Sequence, residues 1–232
     1  MPIRYLPVAG TWGWRGAQNG LDWWRAGSPF TQFMTDQGFL LIGGGADPFV
    51  WTTDVVWWPA WVKWPRRFYG RRLADWYAGG VNLHHYLRPP LGSNRDGYVP
   101  IDDRTVIAHS HAAQVVLFAC ADGLRIKVLV TVGSPVRADL REVARKARLN
   151  IGYWLCLYSD GSDAMQWLGE FGDGALGIVR KHPLADRSEK IPGVGHSKIL
   201  CDPAYFDRWV RYGWLWTIRQ KIMQPWPERM EV

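Results

Sequence analysis

A chain of 232 residues, 47% hydrophobic and 21% charged, suits one folded α/β domain and excludes both a disordered chain and two ordinary domains. Its net charge of +7 is scattered apart from Lys63–Arg72 and Arg137–Arg148, with no aromatic-basic ribbon beside it, so nucleic-acid binding is not expected. Cys120, Cys156 and Cys201 are too few and too widely spaced for a disulfide framework or a paired-cysteine zinc site, and each is expected as a buried free thiol.

The opening Met-Pro-Ile-Arg-Tyr has no signal-peptide core, and no apolar run reaches the length of a membrane span. A soluble, cytoplasmic protein is expected; nothing in the sequence fixes its oligomeric state. Ile3–Gly10 reads as a short buried strand. Ser28-Pro29 opens a helix, since serine caps and proline suits the first helical position, and that helix should stop near Gly38. Phe39–Ile42 is a second apolar run. Residues 46–70 are Trp-rich and broken by Pro48, Pro59 and Pro65; they are expected as a lid or lip on a single domain spanning residues 1–232. Arg71–Leu87 carries apolar residues at helical spacing. After a turn-rich loop, Thr105–Ala108 reads as a strand and Ala112–Ala121 as a helix. Ile126–Val132 is β-branched and suits a buried strand. Ala138–Ala147 reads as a charged helix, Tyr153–Tyr158 as a strand and Ala164–Leu168 as a short helix. Ala185–Ile191 has an edge-strand pattern, and a helix is expected from Ala204 to Ile222. Alternating strands and helices joined by short loops predict a mostly parallel sheet of about six strands with helices on both faces.

Thr105–Ala113 holds the pattern strand, small-x-Ser-x-small, helix, with Ala108 and Ala112 in the small positions around Ser110. A serine on such a turn has its hydroxyl raised above the sheet, and the tight fold-back needs small neighbours. Ser134 is a rival, but Val132-Gly133-Ser134-Pro135 lacks the second small residue and the helix. His109 and His111 suggest a metal pair, but they straddle a turn and no third ligand is evident, so no metal site is expected. His84-His85 reads as a helix end near the C-terminal dipole.

In these features the chain resembles the α/β-hydrolase superfamily, in particular its small lipase- and esterase-like serine hydrolases. The likeness runs from Tyr5 to about Trp216. It rests on Ala9-Gly10-Thr11-Trp12 after the first strand, Ala108–Ala112, Thr131-Val132-Gly133-Ser134-Pro135, and an Asp and then a His further on. Ala9 stands where such enzymes often have His. The resemblance implies a three-layer α/β-hydrolase fold and a triad in the chain order Ser, Asp, His. Ser110 is then the nucleophile and His196, in a Gly-rich loop, its base. Asp163 is the preferred acid, with Asp160 the alternative and Asp173 third. The N–H groups of Thr11 and His111 would bind the oxyanion. Trp12, Trp57 and Trp58 are candidates for a substrate wall, since Trp offers a large flat face with one polar handle.

The implied activity is cleavage of a carboxylic ester, small or lipid-like, with no cofactor. Rival readings are a bacteriophage-type cell-envelope esterase released by lysis, a thioesterase or amidase on the same triad, and a catalytically inactive binding protein of the same fold.

Overall fold

The computed structural model describes residues 2–10, 23–42, 77–84, 87, 104–159, 181–195 and 197–227. Strands β1 (Ile3–Val8), β2 (Phe39–Leu41), β3 (Thr105–His109), β4 (Ile126–Val132), β5 (Ile151–Ser159) and β6 (Arg187–Ile191) form one sheet in the order β2-β1-β3-β4-β5-β6. Every neighbouring pair is parallel. Helices are α1 (Pro29–Asp36), α2 (residues 77–84), α3 (Ala112–Ala121), α4 (Arg141–Leu149), α5 (Lys198–Cys201), α6 (Asp207–Arg211) and α7 (Trp214–Met223).

Central strands buried on both faces are mostly apolar runs. Thr105–His109 and Ile126–Val132 are buried at every position. The two-residue period of a strand then sorts side chains between two cores. Leu6, Val8, Val106, Ala108, Leu129 and Trp154 face α2, α3 and α4, meeting Leu83, Val116 and Ala144. Tyr5, Ile107, Val128, Val130, Leu155 and Leu157 face the other way, onto Phe30 and Met34 of α1, Leu200, Trp209 and Ile218. The expected three-layer α/β architecture, six strands with helices on both faces, is the one this chain forms.

Helix α1 starts as expected: Ser28 Oγ accepts the Thr31 N–H at 3.2 Å and Pro29 occupies the first turn. Three expected boundaries are corrected. The strand expected at Tyr153–Tyr158 starts earlier, at Ile151, and ends at Ser159. The helix expected from Ala138 begins as a 3-10 turn, Ala138–Leu140, and is α-helical only over Arg141–Leu149. The single helix expected over Ala204–Ile222 is three pieces: a 3-10 turn at Pro203–Tyr205, α6 and α7, the last two parted by Gly213 at φ 71°. That left-handed residue turns the chain so that Trp209 and Trp214 both enter one core, 5.5 Å apart and edge to face.

The far edge is closed by a polar tie. Arg148 of α4 donates to Ile151 O and to Asp186 Oδ1, each at 2.5 Å, and Asp186 Oδ2 accepts the Trp154 N–H at 2.7 Å. Cys120 and Cys156 are buried free thiols as expected, whereas Cys201 is half-buried. Burial pushes the thiols of Cys120 and Cys156 up, away from the reactive thiolate form. Among the described residues no helix is long and apolar enough to cross a membrane. Residues 46–70 and the helix expected at Ala164–Leu168 lie outside the described residues.

Candidate active site

Strand order reverses at β1. From β1 the chain goes to β2 on one side and returns with β3 on the other. In open parallel sheets the crevice at the carboxyl ends of two such strands is the usual ligand site. Register pairs Val8 with Ala108, so Ala9-Gly10 and His109-Ser110 leave the sheet side by side.

Ser110 forms the turn between β3 and α3. Its φ of 54° makes it the non-glycine residue with left-handed backbone among those described. For an L-residue that conformation costs about 1–2 kcal/mol, because Cβ crowds the carbonyl oxygen. The surroundings hold it there. Ser110 N–H donates to Val132 O at 2.9 Å, and Ser110 O accepts the Ala113 N–H at 3.3 Å. Ala108 and Ala112, two residues before and after Ser110, are fully buried.

Gly10 abuts this turn. A Cβ built on it would stand 2.8 Å from both His109 O and Ser110 Cβ, closer than real carbons approach. Only glycine lets β1 pass so near the serine. His111, the expected oxyanion donor after Ser110, is buried at the N-terminus of α3, the end of a ten-residue helix that favours negative charge. Thr11, the second expected donor, lies outside the described residues.

Beyond β6 the chain runs through Pro192-Gly193-Val194-Gly195. Val194 is buried in the core, and α5 starts after Ser197. Ser197 Oγ and His109 Nε2 share a hydrogen bond at 3.3 Å. The residue after position 196 therefore touches the residue before Ser110. This contact escapes sequence reasoning; the only hint is that each partner adjoins an expected catalytic residue. His196 itself, the acid candidates Asp163, Asp160 and Asp173, and the wall candidates Trp12, Trp57 and Trp58 lie outside the described residues.

Several side chains near the site have structural work. Trp23 and Trp24 are buried; Trp23 lies edge-on to Phe30 at 5.5 Å and to His109 at 6.3 Å. Ser134, the rival serine, follows Gly133, which takes a φ of 59° and donates its N–H to Leu157 O. Gln114 of α3 ties this second turn down by donating to Pro135 O at 2.9 Å. Among the described residues no three His, Cys, Asp or Glu side chains gather as a metal site would require. His84, expected at a helix end, lies 3.4 Å from Asp122 Oδ2 across α2 and the end of α3.

No family model matches the chain, and no curated protein matches it. Solved structures do. A predicted CIB-like hydrolase from Thermoplasma acidophilum is 13% identical with a TM-score of 0.49, over 92% of this chain and 86% of that one. A protein from Thermus thermophilus is 15% identical with a TM-score of 0.46, over 96% and 90%. The S-formylglutathione hydrolase of Staphylococcus aureus is 14% identical with a TM-score of 0.40, over 95% and 81%. Hydrolases thus stand among the structural neighbours of this fold.

Proposed function

We propose that the chain is an α/β-hydrolase-type serine hydrolase that cleaves carboxylic esters through an acyl-enzyme on Ser110. One observation carries the reading: Ser110 holds a strained left-handed backbone at a strand-to-helix turn, at the switch point of a parallel sheet, with Gly10 against it. Strain of this kind persists where the surrounding structure over-determines it, and it clusters at reactive centres.

The chemistry assigns the roles. A serine hydroxyl near neutral pH needs a base, so His196 takes the Oγ proton as Oγ bonds to the ester carbonyl carbon. The carbonyl oxygen becomes an oxyanion, which the N–H groups of Thr11 and His111 bind. The C–O bond to the alcohol breaks, and the alcohol leaves with the proton from His196. Water then attacks the acyl-enzyme by the same route, releasing the acid and restoring Ser110. Asp163 orients the imidazole and offsets its charge, with Asp160 the alternative acid. The substrate class is a small or lipid-like ester, with Trp12, Trp57 and Trp58 as an apolar wall. The sequence supports this reading through the order Ser110, Asp163, His196.

Labelling with a fluorophosphonate probe tests it. The native chain is expected to label and Ser110→Ala to stay unlabelled; a native chain that stays unlabelled, or a variant that labels equally, overturns the proposal. A p-nitrophenyl ester series of increasing chain length then measures the acyl pocket.

A further inference from the structure

We infer that the outer face of α7 docks this protein on an anionic lipid surface. Trp216 and Met223 enter the headgroup layer there, and Arg219 and Lys221 meet the phosphates. The inference stands apart from the serine-hydrolase reading and concerns a face that the crevice at Ser110 does not use.

Successive residues of an α-helix turn by about 100° around its axis. Trp214, Leu215, Thr217 and Ile218 of α7 share the side that packs inward, and all four are buried. Trp216 and Met223, two turns apart and so within about 20° of each other, stand on the opposite side. They are 65% and 80% exposed, and Arg219 is exposed beside them. The solvent side of a surface helix is ordinarily polar, and a single apolar residue there is unremarkable. A Trp and a Met aligned along one outward stripe mark an interaction surface.

The charge around this stripe is positive. No Asp or Glu lies on α7. Arg219 donates to Gln37 O and lies over the Phe39 ring; Lys221 donates to Gln224 Oε1 at 2.9 Å and lies over the Tyr153 ring. Just past the helix, Lys127 donates to Gln224 O, and Arg125 stands 4.1 Å from the centre of the Trp226 ring. These contacts are with carbonyls, an amide and aromatic rings, so among the described residues no carboxylate answers the four cations. Glu189 of β6 is already held by Arg187 and Trp214.

Apolar side chains flanked by such cations fit an anionic bilayer surface. Trp sets an apolar body and an N–H at the headgroup boundary, Met fills the acyl side, and nearby Lys and Arg gain from the negative surface potential. A second copy of the chain fits poorly, because two-fold pairing of α7 faces would bring like charges together. A nucleic-acid backbone would answer the cations but leave Met223 against phosphates. The contacts of Arg219, Lys221 and Lys127 reach Phe39, Tyr153 and the start of β4, at the amino ends of the strands. A docked chain therefore keeps the crevice at the carboxyl ends clear of the surface.

The test is co-sedimentation of the full chain with lipid vesicles, with thermal midpoint and light scattering measured alongside. At about 0.1 M salt the native chain is expected to bind mixed phosphatidylglycerol–phosphatidylcholine vesicles at least about tenfold more tightly than phosphatidylcholine alone. Binding should weaken as salt near 1 M shortens the Debye length to about 3 Å. Trp216→Ser with Met223→Ser should lower affinity for the anionic vesicles at least about tenfold. Arg219→Gln with Lys221→Gln keeps an amide donor at each position and removes two charges, for a loss of about 20- to 30-fold. All four side chains lie on or beside the solvent face, so midpoints should stay near native. The two pairs are independent, so either one decides the question should the other not fold. A native chain that ignores anionic vesicles at low salt, or variants that bind them as well as the native chain does, overturns the inference. So does light scattering that shows a dimer broken by Trp216→Ser, or duplex DNA bound through this face in place of vesicles.

Discussion

Ser110 and Ser134 follow the ends of neighbouring strands. Register sets His109 against Val132, so Ser110 leaves β3 beside Gly133 and Ser134 comes one residue later. Both are 8% exposed. They differ in which residue takes the left-handed backbone: at β4 it is Gly133, φ 59°, and at β3 it is the serine itself, φ 54°. The β4 turn spares its serine any strain and leads into Pro135; the β3 turn strains its serine and leads directly into the ten-residue α3. Where glycine suffices structurally, a strained side-chain-bearing residue points to a need for the side chain. Substitutions in and around the two turns break or sharpen that contrast.

The largest effect belongs to Ser110→Ala. Methyl replaces hydroxymethyl, so the turn and its strain remain while the proposed nucleophile is lost. A fall in kcat on the order of a million-fold is expected, with an unchanged far-UV spectrum. Esterase assay and probe labelling check it together, and an active Ser110→Ala with an inactive Ser134→Ala would reverse the assignment of the two serines.

Gly10→Ala comes next. The added carbon would stand 2.8 Å from His109 O and Ser110 Cβ, and backbone cannot swing aside as a flexible side chain can. The expected outcome is a stability loss of about 1–3 kcal/mol, from overpacking. A rate loss of at least about 100-fold accompanies it, from displacement of Ser110. Urea unfolding and ester kinetics separate the two. An equivalent change at Gly195, where a Cβ meets nothing, should leave stability nearly unchanged.

The two left-handed positions give the third contrast. Gly133→Ala puts a Cβ on a backbone at φ 59° and should destabilise by about 1–2 kcal/mol. Ser110→Gly removes a Cβ from φ 54°, and relief of strain should offset most of glycine's added unfolded-state entropy, about 0.5–1 kcal/mol. Thermal midpoints are expected to fall clearly in the first variant and to move little or rise in the second, although the second is inactive. A clear drop for Ser110→Gly would mean that the turn is not strained.

These two turns also mark what the sequence made legible. The Ser110 turn could be read because its signals are local: Val106-Ile107 before it, Ala108 and Ala112 around it, an Ala-rich helix after it. Ile126–Val132 was legible because a continuous β-branched run has few other uses, and Ser28-Pro29 because capping is a matter of adjacent residues. What stayed hidden is long-range. The Ser197–His109 contact joins residues 88 apart in the chain, and the Arg148–Asp186 tie residues 38 apart. The break at Gly213 was hidden for a related reason. On one unbroken helix Trp209 and Trp214 would point about 140° apart. Only the demand that both enter one core explains the left-handed turn, and that demand is tertiary.

The smallest effect is the most discriminating about the rival serine. Ser134 Oγ is buried and makes no hydrogen bond among the described residues. A buried hydroxyl without a partner has lost its hydration for nothing, a cost of about 1–3 kcal/mol by protein mutational data. Ser134→Ala removes that cost along with a little packing, so the variant should be as stable as the native chain or more stable by up to about 1 kcal/mol. If Ser134 only closes a turn, kcat should stay within about twofold. If the hydroxyl instead serves a substrate, the variant will gain stability and lose rate together. Chemical denaturation beside ester kinetics therefore decides between a vestigial turn serine and one retained at a cost for function.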